Sequence, residues 1–517
     1  MLFSSTEFVF VFLPLTLSGF FLASRFAGRG AALSWLVAAS LFFYGWWNPW
    51  FLLFLLASVS GNYGLGLALA ARPSKTLLVL GVVSNLGLIA YFKYAQFLLD
   101  LANQATGSGW SAGDIVLPLA ISFFTFQQIA YLFDVREGKA REPDFLSYCL
   151  FVTFFPQLIA GPIVHHSETI PQFRRERVFH LNASDLSVGL TIFVIGLYKK
   201  IVLADGIAVY SDAVFDSALT QAPDLFAAWQ GALAYTFQIY FDFSGYSDMA
   251  IGLARLVGIR LPLNFDSPYK AHNIIEFWRR WHMTLSRFLR NYLYILLGGN
   301  RRGRPRRYAN VMITMLLGGL WHGAAWNFVF WGGLHGLLLV LNHAWHALRR
   351  AWGPDPSRST TLGRWGGRVF TFFCVVVAWV FFRAENWQTA TLMLEGMAGL
   401  NGAVLPAKFA LDLEGSAAFL GGLGVTFGNA PPLQGDGFLW IGIMLAIVWL
   451  LPSTQEIMAD HQPALGYEPG PADLRWIHLR RQKRYWLAPF IVLSMVVGGL
   501  IVLGRGPDAQ QFIYMIF

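Results

Sequence analysis

The chain has 517 residues, of which 56% are hydrophobic and 13% are charged, and its mean hydropathy is +0.49. Because charged residues make up roughly a quarter of an average soluble domain, this composition excludes a soluble protein and predicts a polytopic helical membrane protein. The formal net charge of +9 fits basic cytoplasmic loops better than nucleic-acid binding. Cys149 and Cys374 both lie in apolar runs, which argues against a disulfide framework, and they form no metal-binding cluster.

Apolar segments of about 20 residues, the length that spans a membrane, recur along the chain. The N-terminal segment lacks the basic start of a signal peptide and is interpreted as the first membrane helix. The candidate spans are 7–24, 31–47, 50–70, 76–98, 115–134, 185–203, 225–254, 369–389, 437–452 and 486–504. Two further apolar segments, 146–167 and 309–347, are interrupted by Gly and Pro. Together they predict roughly ten to twelve crossings in a single membrane domain, 1–517, with its core motifs at 115–347.

Clusters of Lys and Arg predict which loops face the cytoplasm. The densest clusters are residues 301–307 and 480–484. If these clusters face the cytoplasm, the loops that are poor in Lys and Arg lie on the outer side. These loops are 48–49, 99–114, 205–224 and 390–436. Lys199 and Lys200 conflict with this scheme, since they lie near the outer end of their helix. The same scheme puts the aromatic C-terminal tail, 505–517, on the extracytoplasmic side.

The segment 309–347 has basic residues on both flanks, at 301–307 and 349–350. It is therefore predicted to enter and leave on the cytoplasmic side, with its turn deep in the membrane or beyond it. Its glycines around 318–323 and 332–336 are the natural places for the chain to bend or pack closely.

Residues 270–300 differ from the spans because arginines interrupt their apolar pattern. Arg279, Arg280, Arg287 and Arg290 alternate with apolar residues at helical spacing. This pattern predicts an interfacial or partly immersed amphipathic helix. Its apolar positions are Ile274, Phe277, Trp278, Trp281, Leu285 and Leu289.

Ionisable residues within membrane segments indicate function by default, because burying them is costly. His322 lies in an apolar segment and His282 on the amphipathic one, and a histidine can act as a general base near neutral pH. The alternative for His322 is a buried histidine hydrogen-bonded between helices. His335, His343 and His346 lie nearer the following basic end and are interpreted as structural or interfacial.

A second polar group occupies the span 225–254. It comprises Asp242, Ser244, Tyr246, Ser247 and Asp248. Carboxylates there should face protein or water, where they could orient a histidine or bind a polar acceptor. The alternative is hydrogen bonding between helices. No catalytic-triad pattern and no metal-binding spacing are evident, so no metal is expected.

At these motifs the chain resembles the membrane-bound O-acyltransferase superfamily, and most closely the membrane subunit of bacterial alginate O-acetyltransferases. The resemblance covers most of the chain and is weak at about 390–480. The matching stretches are "MLFSS" at the start, "ISFFTFQQIAYLFDVREG" (121–138), "FFPQLIAGPI" (154–163), "YFDFSGYSDMAIGL" (240–253), "EFWRRWHMTLSRFLRNYLYILLGGN" (276–300) and "TMLLGGLWHGAAWNFVFWGGLHG" (314–336).

The resemblance implies an all-α ring of helices around a thinned centre, where a cytoplasmic tunnel meets an outer funnel. It also implies the catalytic role for His322, paired with His282. The substrate-binding positions expected in the matching motifs are Asp242, Ser244, Tyr246, Asp248, Trp281, Arg287, Asn300 and Trp321.

The resemblance further implies O-acetyl transfer across the bacterial inner membrane. The donor would be acetyl-CoA or a similar acyl thioester, with no bound cofactor. The arginine clusters could bind the donor's phosphates, although positive-inside topology explains them equally well. The expected partners are a periplasmic acetyltransferase and a polysaccharide synthesis or export complex, and the acceptor most favoured is alginate. The tail "QQFIYMIF" resembles an aromatic motif in which a tyrosine carries the acyl group, which here is Tyr514. An amphipathic membrane anchor explains the same residues.

Other functions remain open on the sequence. The same chemistry could act on peptidoglycan, cellulose or teichoic acid, where it would be D-alanylation. A transporter of an acyl donor or glycan would also place polar residues in the membrane, but it favours repeated halves, and no repeat is evident in the chain. A structural scaffold of an export complex would need no histidine at 322.

Overall fold

The computed structural model describes residues 1–352, 360–407, 416–428, 433, 435–468, 493–494, 496–501, 504 and 512–513. These residues are mostly helical, which confirms the predicted fold class. The helices are α1 (Leu13–Gly45), α2 (Pro49–Ala71), α3 (Lys75–Ile89), α4 (Ala95–Thr106), α5 (Ile121–Arg136), α6 (Phe145–Thr153), α7 (Phe155–Leu158), α8 (His166–Phe173), α9 (Ala183–Tyr198), α10 (Asp205–Ser217), α11 (Leu225–Leu256), α12 (Ile274–Arg280), α13 (Met283–Leu289), α14 (Gly303–His322), α15 (Trp326–Trp352), α16 (Thr361–Arg383), α17 (Trp387–Met397), α18 (Ser416–Gly422), α19 (Gly437–Leu450) and α20 (Thr454–Ile457).

Six helical stretches within the described residues are long and apolar enough to cross a membrane. They are Phe8–Gly45, Pro49–Ala71, Lys75–Thr106, Ala183–Ser217, Trp326–Ala351 and Thr361–Arg383. The first predicted pair of spans, 7–24 and 31–47, forms one continuous run with a break at Gly28, whose φ is +85°. The predicted span 486–504 and the basic cluster 480–484 lie mostly or wholly outside the described residues.

Short π-helical segments join some of these helices. Ala90–Tyr94 connects α3 to α4, and Lys199–Ala204 connects α9 to α10. The prediction of an outer loop over 205–224 was therefore wrong for Asp205–Ser217, because these residues continue the helical stretch that begins at Ala183. The predicted loop 390–436 was also incomplete, because it contains the end of α17, helix α18 and two parallel strands, β1 (Ala403–Pro406) and β2 (Val425–Gly428).

Helix α11 forms the centre of the fold, and nearly every residue from Ala227 to Leu256 is buried. It packs against α9 through two pairs of glycines. A Cβ added at Gly196 would lie 2.6 Å from the carbonyl oxygen of Gly245, and one at Gly252 would lie 2.6 Å from that of Gly189. Small residues let membrane helices approach backbone to backbone, so these glycines set the spacing of the central helices.

Helices α14 and α15 form an antiparallel hairpin, which confirms the bend predicted within 309–347. A Cβ at Gly332 would lie 2.2 Å from the carbonyl oxygen of Met315, and one at Gly319 would lie 2.1 Å from that of Phe328. Glycine is therefore required on both arms near the turn. The hairpin places His322, the last residue of α14, at its tip.

The prediction of a single amphipathic helix over 270–300 was wrong. The chain forms two short helices, α12 and α13, interrupted at Trp281 and His282, and continues as a π-helical turn at Arg290–Tyr294. Trp281 is extended and His282 has a φ of +42°, in the left-handed region. Moreover, Phe277 and Trp281 are each 1% exposed, so this face packs inside the protein rather than against lipid.

Candidate active site

His322 lies at the C-terminal end of α14 and is 4% exposed. Its imidazole is surrounded by aromatic rings from three elements. The ring centroids of Trp321, Trp331 and Phe382 lie 4.8, 5.2 and 5.1 Å from that of His322. These three rings fix the position of the imidazole within a largely water-excluded site.

The backbone around His322 is held by residues that sequence reasoning did not identify. Lys93 Nζ donates hydrogen bonds to the carbonyl oxygens of Trp321 at 2.7 Å and His322 at 3.0 Å. The Tyr94 hydroxyl donates to the carbonyl of Leu320 at 2.7 Å. The last carbonyls of a helix have no partner within the helix, so these side chains cap α14.

His282 lies between α12 and α13 and is fully buried. Its Nδ1 lies 3.1 Å from Oδ1 of Asn264. Because an amide oxygen only accepts hydrogen bonds, the imidazole donates through Nδ1, which leaves Nε2 as the acceptor nitrogen of the neutral ring.

Asn264 organises this part of the site. Its Oδ1 also accepts from the Thr284 hydroxyl at 3.0 Å, its Nδ2 donates to Ser247 at 3.2 Å, and its backbone carbonyl accepts from the amide of Met283 at 2.9 Å. Sequence reasoning missed Asn264, because it lies 18 residues before His282 and no spacing pattern connects them.

The structure brings both predicted histidines to the same tryptophan. The ring centroid of Trp321 lies 6.2 Å from that of His282 and 4.8 Å from that of His322. His282, Trp321 and His322 therefore form one compact group, although 40 residues of sequence separate the histidines.

His335 packs beside this group but is held differently. Its Nδ1 accepts a hydrogen bond from the indole N–H of Trp278 at 3.3 Å, and its ring stacks parallel to that of Phe277. This placement agrees with a structural role for His335.

The carboxylates of α11 are held in buried ion pairs. Lys200 Nζ lies 2.6 Å from Asp242 and 2.7 Å from Asp205, and Lys199 Nζ lies 2.6 Å from Asp248. Lys199 and Lys200, which conflicted with the charge scheme, therefore neutralise carboxylates inside the protein instead of marking a loop.

The other predicted α11 residues divide between two environments. Ser247 joins the Asn264 network, whereas Ser244 is buried within α11. Tyr246 is buried between the rings of Phe3 and Phe512, at centroid distances of 4.9 and 4.6 Å. Sequence reasoning therefore grouped residues that the fold separates by helix face.

The remaining predicted site residues are spread around this centre. The Trp281 ring packs against Trp379, with ring centroids 4.9 Å apart. Arg287 Nη2 donates to Glu168 at 3.0 Å and to the carbonyl of Ile163 at 3.3 Å. Asn300 is exposed and accepts from the hydroxyl of Tyr294. Tyr514 lies outside the described residues.

A cavity of about 930 Å³ opens along α12 and α13. It reaches Met283 and Thr284, the residues that follow His282. Burial lowers the pKa of the His272 imidazole, which favours its neutral form. The charged lining residues are Glu168, Asp266, Lys270, Glu276, Arg279, Arg280, Arg287, Arg290, Arg368, Glu456 and Glu468.

Arg279 and Arg290 are the exposed arginines of this lining. Within the described residues, neither forms an ion pair, whereas Arg280 and Arg287 are paired with acids. The described residues also contain no cluster of His, Cys, Asp or Glu that could hold a metal ion. The arrangement thus offers two buried imidazoles beside a charged cavity.

Known proteins resemble this chain over much of its length. Residues 135–382 match the sequence model of the MBOAT, membrane-bound O-acyltransferase family, and residues 473–517 match a family of unknown function, DUF5989. The chain is 45% identical to a peptidoglycan O-acetyltransferase of Helicobacter pylori, over 78% of this chain and 81% of that protein.

Two further relatives are a probable alginate O-acetylase and a teichoic acid D-alanyltransferase. The first, from Pseudomonas aeruginosa, is 42% identical over 77% of this chain and 75% of its own length. The second, from Streptococcus thermophilus, is 30% identical over 47% of this chain and 60% of its own length. The chain is a multi-pass membrane protein of the membrane-bound O-acyltransferase family and an O-acyltransferase.

Proposed function

We propose that this protein transfers an acetyl group from a cytoplasmic thioester to the outer side of the bacterial inner membrane, for O-acetylation of an exported glycan. The observation that carries the proposal is the meeting of His282 and His322 at Trp321, at the tip of the α14–α15 hairpin. Both relatives with more than 40% identity quoted above are named as O-acetyl-transferring proteins, which supports acetyl as the transferred group.

His322 acts as the general base in the proposed reaction. It removes the proton from an acceptor hydroxyl, whose oxygen attacks the thioester carbonyl. A carbon–oxygen bond forms, the carbon–sulfur bond breaks, and the imidazolium returns its proton to the departing thiolate. His282 donates through Nδ1 to Asn264, so its Nε2 can accept a hydrogen bond while it positions the donor or shares the proton.

The cavity along α12 and α13 is the proposed donor site. Its volume, about 930 Å³, is sufficient for a large polar ligand. Arg279 and Arg290 supply charge that is not neutralised by ion pairs in the described residues, which suits the phosphates of coenzyme A. Thr284, a buried residue of this lining, lies two positions after His282, so a thioester bound in the cavity would lie close to the histidine pair.

The C-terminal tail is the proposed first acceptor, through Tyr514. The two residues that precede Tyr514 support its role as acceptor. Phe512 is 1% exposed, packs against Tyr246 and lies under the ammonium of Lys200, 4.8 Å from its ring centroid. The backbone amide of Ile513 donates to Asp242 at 2.9 Å. Phe512 and Ile513, which directly precede Tyr514 in the sequence, are therefore held within the protein, and this supports the relay over a simple surface anchor.

A periplasmic transferase would then move the acetyl group to the glycan within a synthesis or export complex. Alginate and peptidoglycan are the two acceptors that the relatives' names support, at 42% and 45% identity. Chemistry at the histidines is the same for both, because the proposed first acceptor is the Tyr514 hydroxyl and not the glycan.

The base role is tested with the full chain purified into lipid nanodiscs and supplied with acetyl-CoA. We expect His322→Ala to lose nearly all release of free coenzyme A, by roughly 10²- to 10⁴-fold, the usual contribution of a general base. His346→Ala, on the same hairpin, is the matched control and should retain activity. Wild-type turnover by folded His322→Ala would overturn the proposal.

The relay and the acceptor are tested separately. Mass spectrometry of the wild-type protein after donor addition should find an acetylated C-terminal peptide, and Tyr514→Phe should abolish it. Full glycan acetylation by Tyr514→Phe would exclude the relay without excluding His322. In cells lacking this protein, loss of acetyl esters from alginate or from peptidoglycan identifies the acceptor.

A further inference from the structure

A π-helical turn holds the C-terminal end of α14, where His322 lies. Lys93 and Tyr94 belong to the π-helical turn Ala90–Tyr94, between α3 and α4. Their side chains donate to three successive carbonyl oxygens, those of Leu320, Trp321 and His322, at distances of 2.7 to 3.0 Å. These hydrogen bonds connect parts of the chain that are more than 225 residues apart.

Hydrogen bonds from a cation are favourable at the C-terminal end of α14. Helix α14 ends at His322, and Gly323 is already extended, with φ −164° and ψ 152°. The orphan carbonyls of the last turn carry the negative end of the helix dipole, so a cation placed there is favourable. Lys93 supplies that cation and also lies over the Trp321 ring, 5.9 Å from its centroid.

The chain makes a short turn directly after His322. The chain reverses over residues 323–325 before α15 begins at Trp326. A Cβ at Gly323 would lie 2.1 Å from the Phe328 ring, so the turn is packed tightly on one side. Lys93 and Tyr94 hold the three residues immediately before this turn through their backbone carbonyls, and these hydrogen bonds form the polar clamp.

We infer that Lys93 and Tyr94 are positioning residues that hold the His322 backbone in register with His282 and the donor, an inference that rests on the base role proposed for His322. They act through the carbonyls of α14 rather than on the substrate. π-Helical turns inside α-helices occur frequently at functional sites, and this turn brings both donors to the same helix end.

The test compares Lys93→Met, Lys93→Arg and Tyr94→Phe in the full chain in nanodiscs, with acetyl-CoA as donor. We expect Lys93→Met to lower kcat by about 10- to 100-fold, since a displacement of about 1 Å can cost that much, while the KM for acetyl-CoA stays unchanged. Lys93→Arg keeps the cation and should recover most of kcat. Tyr94→Phe should lower kcat by a few fold.

Matched controls separate this effect from general damage. Lys75→Met removes an exposed lysine from the same membrane-spanning stretch, and Tyr91→Phe removes a hydroxyl from the same π-helical turn. Both should keep wild-type kcat. Hydrogen exchange of a peptide covering 318–328 should increase in Lys93→Met and not in Lys75→Met, which reports the loosened turn independently of activity.

The outcomes distinguish this inference from the proposed function. Wild-type kcat in Lys93→Met, or a defect confined to KM, overturns the positioning role while an inactive His322→Ala still supports the base. An active His322→Ala overturns the base role itself. If Lys93→Met does not fold, wild-type kcat in Tyr94→Phe alone overturns the clamp.

Discussion

Lys200 Nζ lies 2.6 Å from Asp242 Oδ1 in the centre of the protein, and each side chain is 2% exposed. The pair joins the π-helical turn after α9 to the middle of α11. Asp242 also accepts the backbone amide of Ile513, and the Lys200 ammonium lies over the Phe512 ring. One ion pair thus connects the two central helices to Phe512 and Ile513.

Lys200→Met should therefore destabilise the protein strongly. It removes the cation that Asp242 and Asp205 share, and breaking a buried pair from one side costs about 3–5 kcal/mol. Thermal unfolding in detergent should show a large fall in midpoint. Lys139→Met, which breaks an exposed pair with Glu137, is the control and should change the midpoint little. A Lys200→Met midpoint equal to that of Lys139→Met would contradict the prediction.

Substitutions at His282 should rank by backbone geometry as well as by chemistry. Its φ is +42°, a region that Asn tolerates far better than β-branched residues. Asn can also donate to Asn264, whereas Ala cannot. We expect kcat to fall in the order wild type, His282→Asn, His282→Ala, His282→Val. Steady-state kinetics with acetyl-CoA measure the order, and equal activity of the Asn and Val variants would disprove it.

Gly332→Ala should lower activity by disturbing the hairpin below His322. The added methyl would lie 2.2 Å from the carbonyl oxygen of Met315, and such overpacking costs about 1–3 kcal/mol. The arms must separate, which moves the tip and its histidine, so kcat should fall. Gly87→Ala is the control, because a Cβ there meets nothing within 4 Å. The prediction fails if both variants turn over at the same rate.

The paired variant Arg279→Gln/Arg290→Gln should weaken donor binding without impairing chemistry. These exposed arginines line the cavity, and exposed charge interactions contribute about 0.2–1 kcal/mol each. The KM for acetyl-CoA should rise several-fold and lose much of its dependence on salt, with kcat retained. Arg304→Gln, outside the cavity lining, should leave KM unchanged. A KM equal to that of the wild type in the paired variant would exclude these arginines from donor binding.

Patterns of charge and glycine predicted much of the hairpin. Basic residues on both flanks of 309–347 predicted that the chain reverses, and α14 and α15 form that hairpin. The hairpin could be predicted because its determinants are local. Glycines such as Gly319 and Gly332 allow two helix backbones to come into contact. By contrast, apolar periodicity over 270–300 predicted one helix, because periodicity does not detect a left-handed residue such as His282.

The sequence by itself determined the membrane class, several of the apolar spans and the bend of the hairpin, and it singled out the two histidines as candidates. Only the tertiary structure decided what surrounds them. Asn264 reaches His282, and Lys93 and Tyr94 reach the end of α14, through contacts between distant segments. The tertiary structure also decided that Lys199 and Lys200 neutralise α11 carboxylates rather than mark a cytoplasmic loop. Hydropathy and spacing describe a chain along its length, whereas hydrogen bonds and ion pairs depend on which buried groups the packed helices bring within about 3 Å of one another.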